Sequence, residues 1–458
     1  MQTIGDHAVV LGAGMGGLAA ARVLADAYRR VTVLERDPLP ATAEQRKGVA
    51  HGRHAHVLVP GGAQALGELF PGLLDELVAA GAPAVGDLAE LRFAPGGHLL
   101  RLQGRPAGPA PYPASRPFLE AHLRARVRSL PGVEVVDRCE AVGLVTTAAR
   151  DRVTGVRLLR HATAGAKAEE VLDADLVLDA TGRGGRTPAW LAAIGYDPPP
   201  QEQLEINLKY ATRRLHRRPG DLGGAKIVGV GAVPGRPTGM ALFAEEEDRW
   251  VLTAIGYQGH HPPADPEGFL GFVQAFAPPD VFAMLRDAEP LDEIVAYRFR
   301  ANLRRRYERL RRFPAGLLVL GDAICSLNPA YGQGMSLAAL EAAALREVLA
   351  GGERDLARRF FRAAAKPVGM AWGLTVGAEL SLPQVQGPRP LPVRVLNAYA
   401  RRVGVAAARD PVVAERFLRV ASLQDPPPRL FRPSTARRVL LANLRRPPVP
   451  AVHRPEIA

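Results

Sequence analysis

The chain has few of the residues that staple small folds or build metal centres. It has two cysteines, Cys139 and Cys325, far apart in 458 residues. That excludes a disulfide framework and a cysteine-built zinc site. Aromatic residues are 6% of the chain. They are not interleaved with the basic residues, which argues against nucleic acid as a partner. Long apolar runs are missing as well. No stretch of about 18 apolar residues occurs, so nothing reads as a membrane span. The N-terminus leads straight into an apolar strand and leaves no room for a signal peptide, so we expect a cytoplasmic protein. Lysine is scarce beside arginine, although the net charge is +13. That charge reads either as attraction to phosphates, anionic lipid or an acidic partner, or as the arginine codon usage of a GC-rich genome. Hydrophobic residues at 47% and charged residues at 23% describe an ordinary globular protein. The length allows two or three domains.

Against this background one stretch stands out, Val9-Val10-Leu11-Gly12-Ala13-Gly14-Met15-Gly16-Gly17. An apolar run turns on glycines and continues as an Ala/Leu-rich helix. Gly12, Gly14 and Gly17 fill G-x-G-x-x-G: a tight turn, a close backbone approach to a pyrophosphate, and close helix–strand packing. The helix start at Ala13 and Met15 offers free N–H groups to phosphate. A second strand, Arg30 to Glu35, ends 18 residues after Gly17 in an acid that can accept both ribose hydroxyls, with Arg36 beside it. Strand, glycine turn, helix and terminal acid together predict dinucleotide binding.

Further signals follow along the chain. The basic loop from Arg46 to His56 holds three histidines, His51, His54 and His56. It lacks the accompanying carboxylates or cysteines of a metal site. Arg46 and Arg53 read either as donors to a phosphate, a ribityl chain or a flavin edge, or as a solvated basic loop. Ser115 is placed to cap a helix with Pro117 in its first turn. The stretch Ala174 to Arg186 is an apolar strand ending in Asp179 and a small-residue turn, another close backbone approach. The stretch Leu317 to Ser336 is a strand ending at Gly321-Asp322, then a loop with Pro329, then a long helix starting near Gly334. Asp322 can hold a polyol hydroxyl, and the helix start can face an anion. Residues 64–80 read as amphipathic and helical, and Leu91 to Phe93 and Leu99 to Leu102 as short strands. Residues 196–295 alternate strands with polar loops. Thr435 to Leu444 is a basic amphipathic helix that either packs on its own domain or touches a membrane surface.

The order and spacing of three motifs, the glycine turn at Gly12 to Gly17, the strand ending in Asp179 and its turn, and Gly321-Asp322 followed by Pro329 to Gly334, resemble the FAD-dependent oxidoreductases built like p-hydroxybenzoate hydroxylase and glutathione reductase, over roughly residues 7–375. The loop Arg46 to His56, with Asp179 to Gly184 and Asn328 to Ser336, looks most like the bacterial flavin epoxidases of polyether biosynthesis, which are similar to squalene epoxidase. The resemblance implies an α/β fold. It has a Rossmann-type FAD-binding domain in three parts (1–90, 113–195, 296–370). A mostly antiparallel substrate sheet (91–112 and 196–295) is inserted, and a helical region (371–458) follows. It implies non-covalent FAD on Gly12, Ala13, Gly14, Met15, Gly17, Glu35, Arg36, Arg46, Arg53, Arg116, Val142, Asp322, Gly332, Gly334 and Met335. Tyr210, Phe243, Trp250, Tyr257 and Pro329 are candidates for an apolar substrate pocket. No Ser/His/Asp, metal or paired-carboxylate constellation is apparent, so the chemistry is expected to be flavin-centred. The expected reaction is epoxidation or hydroxylation of a lipophilic polyketide or isoprenoid by O2. Reduction of an isoprenoid chain, as in the geranylgeranyl reductases, is the alternative. One nucleotide fingerprint is present and FAD takes it. Asp179-Ala180-Thr181-Gly182 departs from the Asp-Gly form tied to NADPH handling in the aromatic hydroxylases. Electrons are therefore expected from a separate flavin reductase or from transiently bound NAD(P)H.

Overall fold

The structure is a computed structural model that describes residues 3–161 and 167–444. The end of the C-terminal helical region, residues 445–458, lies outside the described residues. Five parallel strands form the first sheet, in the order Leu317–Val319, Leu176–Asp179, Gly5–Leu11, Tyr28–Leu34, Val133–Val136. Their near-continuous apolar runs suit strands covered on both faces. The order reverses beside Gly5–Leu11, so the crevice at the carboxyl ends of these strands is the place where such sheets bind ligands. Gly12, Glu35, Ala180 and Gly321 all lie at those ends.

Helices cover the parallel sheet. Met15–Leu24 follows the glycine turn, and Gly334–Leu349 packs beside it. The Ser115 hydroxyl accepts from the Phe118 amide and caps Arg116–Arg128, as its sequence position predicts. The helical stretch expected over 64–80 is present as two helices, Pro60–Leu69 and Leu73–Ala79. Pro71 and the left-handed Gly72, at φ +80°, break it. Leu91–Ala94 is a strand, but Leu99 to Leu102 is not; Leu100 and Leu102 are instead buried against the C-terminal helices.

A seven-stranded sheet stands over the crevice, in the order Cys325–Ser326, Val295–Arg305, Gln201–His216, Arg249–Tyr257, Thr238–Glu245, Ile227–Val230, Leu91–Ala94. Every pairing is antiparallel except the last. Its strand Val295–Arg305 runs ten residues past 295, the expected edge of the insert, because it pairs along Gln201–Thr212. Residue 370, the other expected boundary, falls inside the continuous helix Leu356–Glu379. The outer face of the sheet carries Ala211, Leu215, Met240, Leu242, Trp250 and Leu252 against the helices Pro266–Gln274 and Pro279–Asp287. Its inner face carries Tyr210, Thr212, Phe243, Thr253 and Tyr297 at the alternate positions. No helix among the described residues is long and apolar enough to cross a membrane.

Candidate functional site: a glycine cradle beneath a polar sheet face

The three glycines of the first motif have three distinct geometries. Gly12 sits at φ +97°, and a Cβ there would lie 2.7 Å from the Ala180 carbonyl oxygen. A Cβ on Gly17 would run into the Gly12 carbonyl oxygen. These two positions need glycine to bring strand, turn and helix together. Gly14 is different. A Cβ there would meet only two guanidinium ends, Arg116 Nη2 at 3.6 Å and Arg46 Nη2 at 3.7 Å. The backbone at Gly14 is thus bare toward two cations at a helix N-terminus, a donor set that fits a pyrophosphate. The cradle accordingly fits a dinucleotide.

The adjoining charges are fixed. Arg46 is buried among Glu35 (3.0 Å), Asp37 (3.6 Å) and Glu120 (2.5 Å), whose charges hold its proton more firmly than usual. Glu35 also accepts the Ala13 amide at 2.9 Å, which ties the end of the second strand to the glycine turn. Glu120 binds Arg116 as well at 3.1 Å, and its carboxyl is held below the usual range by Arg116 and Arg46 despite burial. Arg36 is exposed beside Asp37. Arg53 is exposed and makes no hydrogen bond or ion pair among the described residues, so nothing draws it to the cradle. Val142 lies where the register shifts in the strand Cys139–Thr146, whose first amide is bonded to the Glu35 carbonyl.

Asp179 and Asp322 divide the work at the other two strand ends. Asp179 is fully buried and accepts from the Thr181 amide, the Thr181 hydroxyl and the Thr187 hydroxyl. It shapes its own turn. Asp322 is partly accessible and lies between the turn of the second motif and the helix start of its own. Cβ atoms built on Gly182 and Gly334 would stand 4.0 and 3.9 Å from its side chain. Desolvation raises its pKa, opposed by Arg116, Arg183 and a hydrogen bond from Ser326. The helix Gly334–Leu349 begins where the sequence predicts, and Met335 is already buried in its first turn. Gly332 is left-handed at φ +65°. Beneath this loop Glu341 accepts the Gly321 amide at 2.6 Å, and burial pushes its carboxyl up to about 8.

The inner sheet face is more polar than predicted. The Tyr210 hydroxyl donates to Asn328 Oδ1 at 2.5 Å and accepts the Ala330 amide at 3.0 Å. Asn328 Nδ2 donates to the Tyr257 hydroxyl at 3.0 Å and to Glu379 at 2.8 Å. Both tyrosines therefore pin the Pro329 loop with their hydroxyls. Phe243 faces inward but packs with Ile227 and the C-terminal helices. Trp250 does not face the site. It sits fully buried on the outer face, with its indole N–H on Asp221 at 3.0 Å.

Sequence reasoning missed several residues here. Tyr297 stands opposite Tyr210 in the sheet register, and Arg183 lies over the Phe299 ring at 5.2 Å with one N–H on Ser326. Only the strand register, which the sequence does not print, brings Tyr297 and Phe299 to this face. The three loop histidines reach it too. His54 shares a hydrogen bond with Thr212 at 2.7 Å and lies 5.5–5.6 Å from the Tyr210 and Tyr297 rings. Burial holds His51 down to about 3 and His54 down to about 4, helped by neighbouring guanidiniums, and pushes His56 well below its ordinary value. All three are neutral imidazoles near neutral pH. Among the described residues, no group of three or more His, Cys, Asp or Glu is placed to hold a metal ion.

A two-layer crevice of this kind, a glycine cradle under an antiparallel sheet, defines a class, the fold of the FAD-dependent monooxygenases. Residues 10–73 match the family model of an NAD(P)-binding Rossmann-like domain. Solved structures share the architecture at low identity. The flavin-dependent brominase Bmp2 aligns over 92% of this chain and 94% of its own, with a TM-score of 0.63 and 15% identity. The p-nitrophenol 4-monooxygenase PnpA of Pseudomonas putida DLL-E4 aligns over 93% and 99%, with a TM-score of 0.62 and 19% identity. PqsL of Pseudomonas aeruginosa, described as a probable FAD-dependent monooxygenase, aligns over 82% and 97%, with a TM-score of 0.60 and 18% identity. More particularly, the chain belongs to the family of protein Rv3254 of Mycobacterium tuberculosis (strain ATCC 25618 / H37Rv). The two are 38% identical over 438 residues, 92% of this chain and 90% of that protein.

Proposed function

We propose that the protein is an FAD-dependent monooxygenase that inserts one oxygen atom from O2 into a lipophilic polyketide or isoprenoid, epoxidation being favoured. The observation that carries this reading is that Arg116, which stands at the Gly14 backbone, also acts on Asp322, whose side chain lies beside the Gly334 helix start. Reduced FAD, when bound, supplies the activation of dioxygen. The chain's own residues hold, orient and exclude. The Gly14 backbone with Arg46 and Arg116 takes the pyrophosphate, Glu35 the ribose, and Asp322 the ribityl chain. The N–H groups from Gly332 to Met335 face negative charge at the pyrimidine edge. Tyr210, Tyr257, Tyr297 and the neutral histidines wall the substrate side with uncharged rings, and the Arg183 guanidinium is held over the Phe299 ring. That suits a neutral, lipophilic guest. The resemblance to the polyether epoxidases in the Arg46 to His56 loop favours an alkene over an aromatic ring. We place the electron source in a separate flavin reductase or in transiently bound NAD(P)H.

The test is direct. Flavin-loaded protein is reduced under air, with 18O2 in one arm, beside squalene as the lipophilic alkene, and the products are read by mass. Gain of one labelled oxygen atom supports the reading. Gain of hydrogen without oxygen uptake replaces it with the isoprenoid-reductase alternative.

A further inference from the structure

The exposed apolar side chains of this protein are concentrated in one place. Seven of the eleven large ones among the described residues lie in the C-terminal helices: Leu391, Val395, Leu396, Phe431, Leu440, Leu441 and Leu444. The helix Pro433–Leu444 shows why. It turns Thr435, Val439 and Ala442 inward, onto the helices Leu391–Ala407 and Pro411–Ala421. Arg437, Leu440, Leu441 and Leu444 occupy the opposite side. Leu444 is 73% exposed and Leu440 61%. The neighbouring helix Leu391–Ala407 is buried only at Val403, Ala406 and Ala407. In its first two turns Val393 packs against the Leu380 cluster, while Leu391, 69% exposed, stands in solvent with Arg394 and Leu396 beside it.

The same region carries a one-sided charge. From Pro388 to Leu444 the sequence has eleven arginines and three acids. Arg394, Arg401, Arg432 and Arg437 are all exposed, and none is in an ion pair among the described residues. Apolar side chains interspersed with unpaired guanidiniums match the interface of a bilayer, with acyl chains below and phosphates at the headgroups. A second copy of the chain is a poor occupant, because the two faces would bring like charges together.

We propose that this helical face docks the protein on the surface of an anionic membrane, without spanning it. Docking is a property of the C-terminal helices and holds whatever reaction the crevice performs.

The test uses the full-length chain and co-sedimentation with vesicles. One set is phosphatidylcholine alone; the other is phosphatidylcholine and phosphatidylglycerol in equal parts. Binding more than about tenfold tighter to the anionic set is expected, falling away near 1 M salt, where charges are screened within about 3 Å. The variant Leu391→Ser/Leu440→Ser/Leu444→Ser should lose binding to both sets. The variant Arg394→Glu/Arg437→Glu should lose the preference for the anionic set. Both should keep the wild-type melting temperature and flavin content, since every altered side chain is exposed. If the serine variant fails to fold, the arginine variant decides alone. Equal binding to both vesicle sets, or none, overturns the proposal. So does a dimer, seen by light scattering, that the serine variant dissolves.

Discussion

The cradle and the sheet above it are built on opposite plans. The cradle is a backbone device. Gly12 and Gly17 allow carbonyl and helix to approach closely, and Gly14 is bare where a phosphate would come. The sheet is a side-chain device. What it offers depends on which alternate residues of each strand point inward. Trp250 is core, while its neighbours Val251 and Thr253 belong to the inner face with Tyr210 and Thr212. A backbone device tolerates no side chain at a few fixed positions. A side-chain device tolerates exchange until the core behind it fails.

The sharpest way to break this contrast lies in the glycines. Gly17→Val should abolish folding of the nucleotide domain, because the new Cβ meets the Gly12 carbonyl. Soluble, flavin-loaded protein would show the cradle to be more plastic than described. Gly14→Val should fold yet lose FAD, since only two flexible arginine ends lie near its Cβ. A normal flavin spectrum there would mean that the pyrophosphate lies elsewhere.

On the sheet side, Trp250→Ala should cost about 3–5 kcal/mol as a large buried cavity and leave the flavin affinity of the remaining folded protein unchanged. Denaturant titration and flavin fluorescence separate the two readouts. A changed product pattern at full stability would put Trp250 back in the pocket. The aspartates sharpen the same contrast. Asp322→Ala should weaken FAD more than Asp179→Ala does. Asp179→Ala should instead cost about 2 kcal/mol or more of stability, because three donors lose their acceptor.

The smallest effect expected is one of pH. Folded His51 and His54 stay neutral down to about 3 and 4, while the unfolded imidazole protonates near 6.5. The stability they contribute is complete above about 6.5 and is lost as pH falls toward 4, at about 1 kcal/mol per pH unit for each. Buried Glu341, Glu379 and Glu245, held at about 8, act the other way and cost stability as pH rises from the free carboxyl range through 8. Melting temperatures between pH 7 and 5 should fall less in His54→Gln than in the wild type. An identical acid limb would show that His54 protonates freely.

The sequence revealed the cradle because each close approach demands glycine at a fixed spacing, and the third motif because strand, acid and helix start are adjacent in the chain. The Gly334–Leu349 helix and the Ser115 cap follow from local chemistry alone. The inner sheet face was not legible in this way. A shift of one residue in strand register turns every side chain to the other face, and sequence alone gives Trp250 and Val251 equal standing. Arg183 and Tyr297 belong to strand ends 114 positions apart. The loop histidines were visible, but the burial that keeps them neutral comes from Thr212 and Tyr297, far along the chain.

The two edges of the seven-stranded sheet have a consequence for synthesis on the ribosome. One edge, Leu91–Ala94, is made before the body of the sheet, and the other, Cys325–Ser326, after it. The parallel sheet likewise waits for Leu317–Val319 before its outermost strand can join. Neither sheet has all its strands until Val319 or Ser326 of the 458 residues has been made, so both stay incomplete through most of translation. Pairings this distant in sequence slow folding and leave strand edges bare in the meantime. Fusion of a partner at the C-terminus should therefore disturb folding less than truncation anywhere before Ser326.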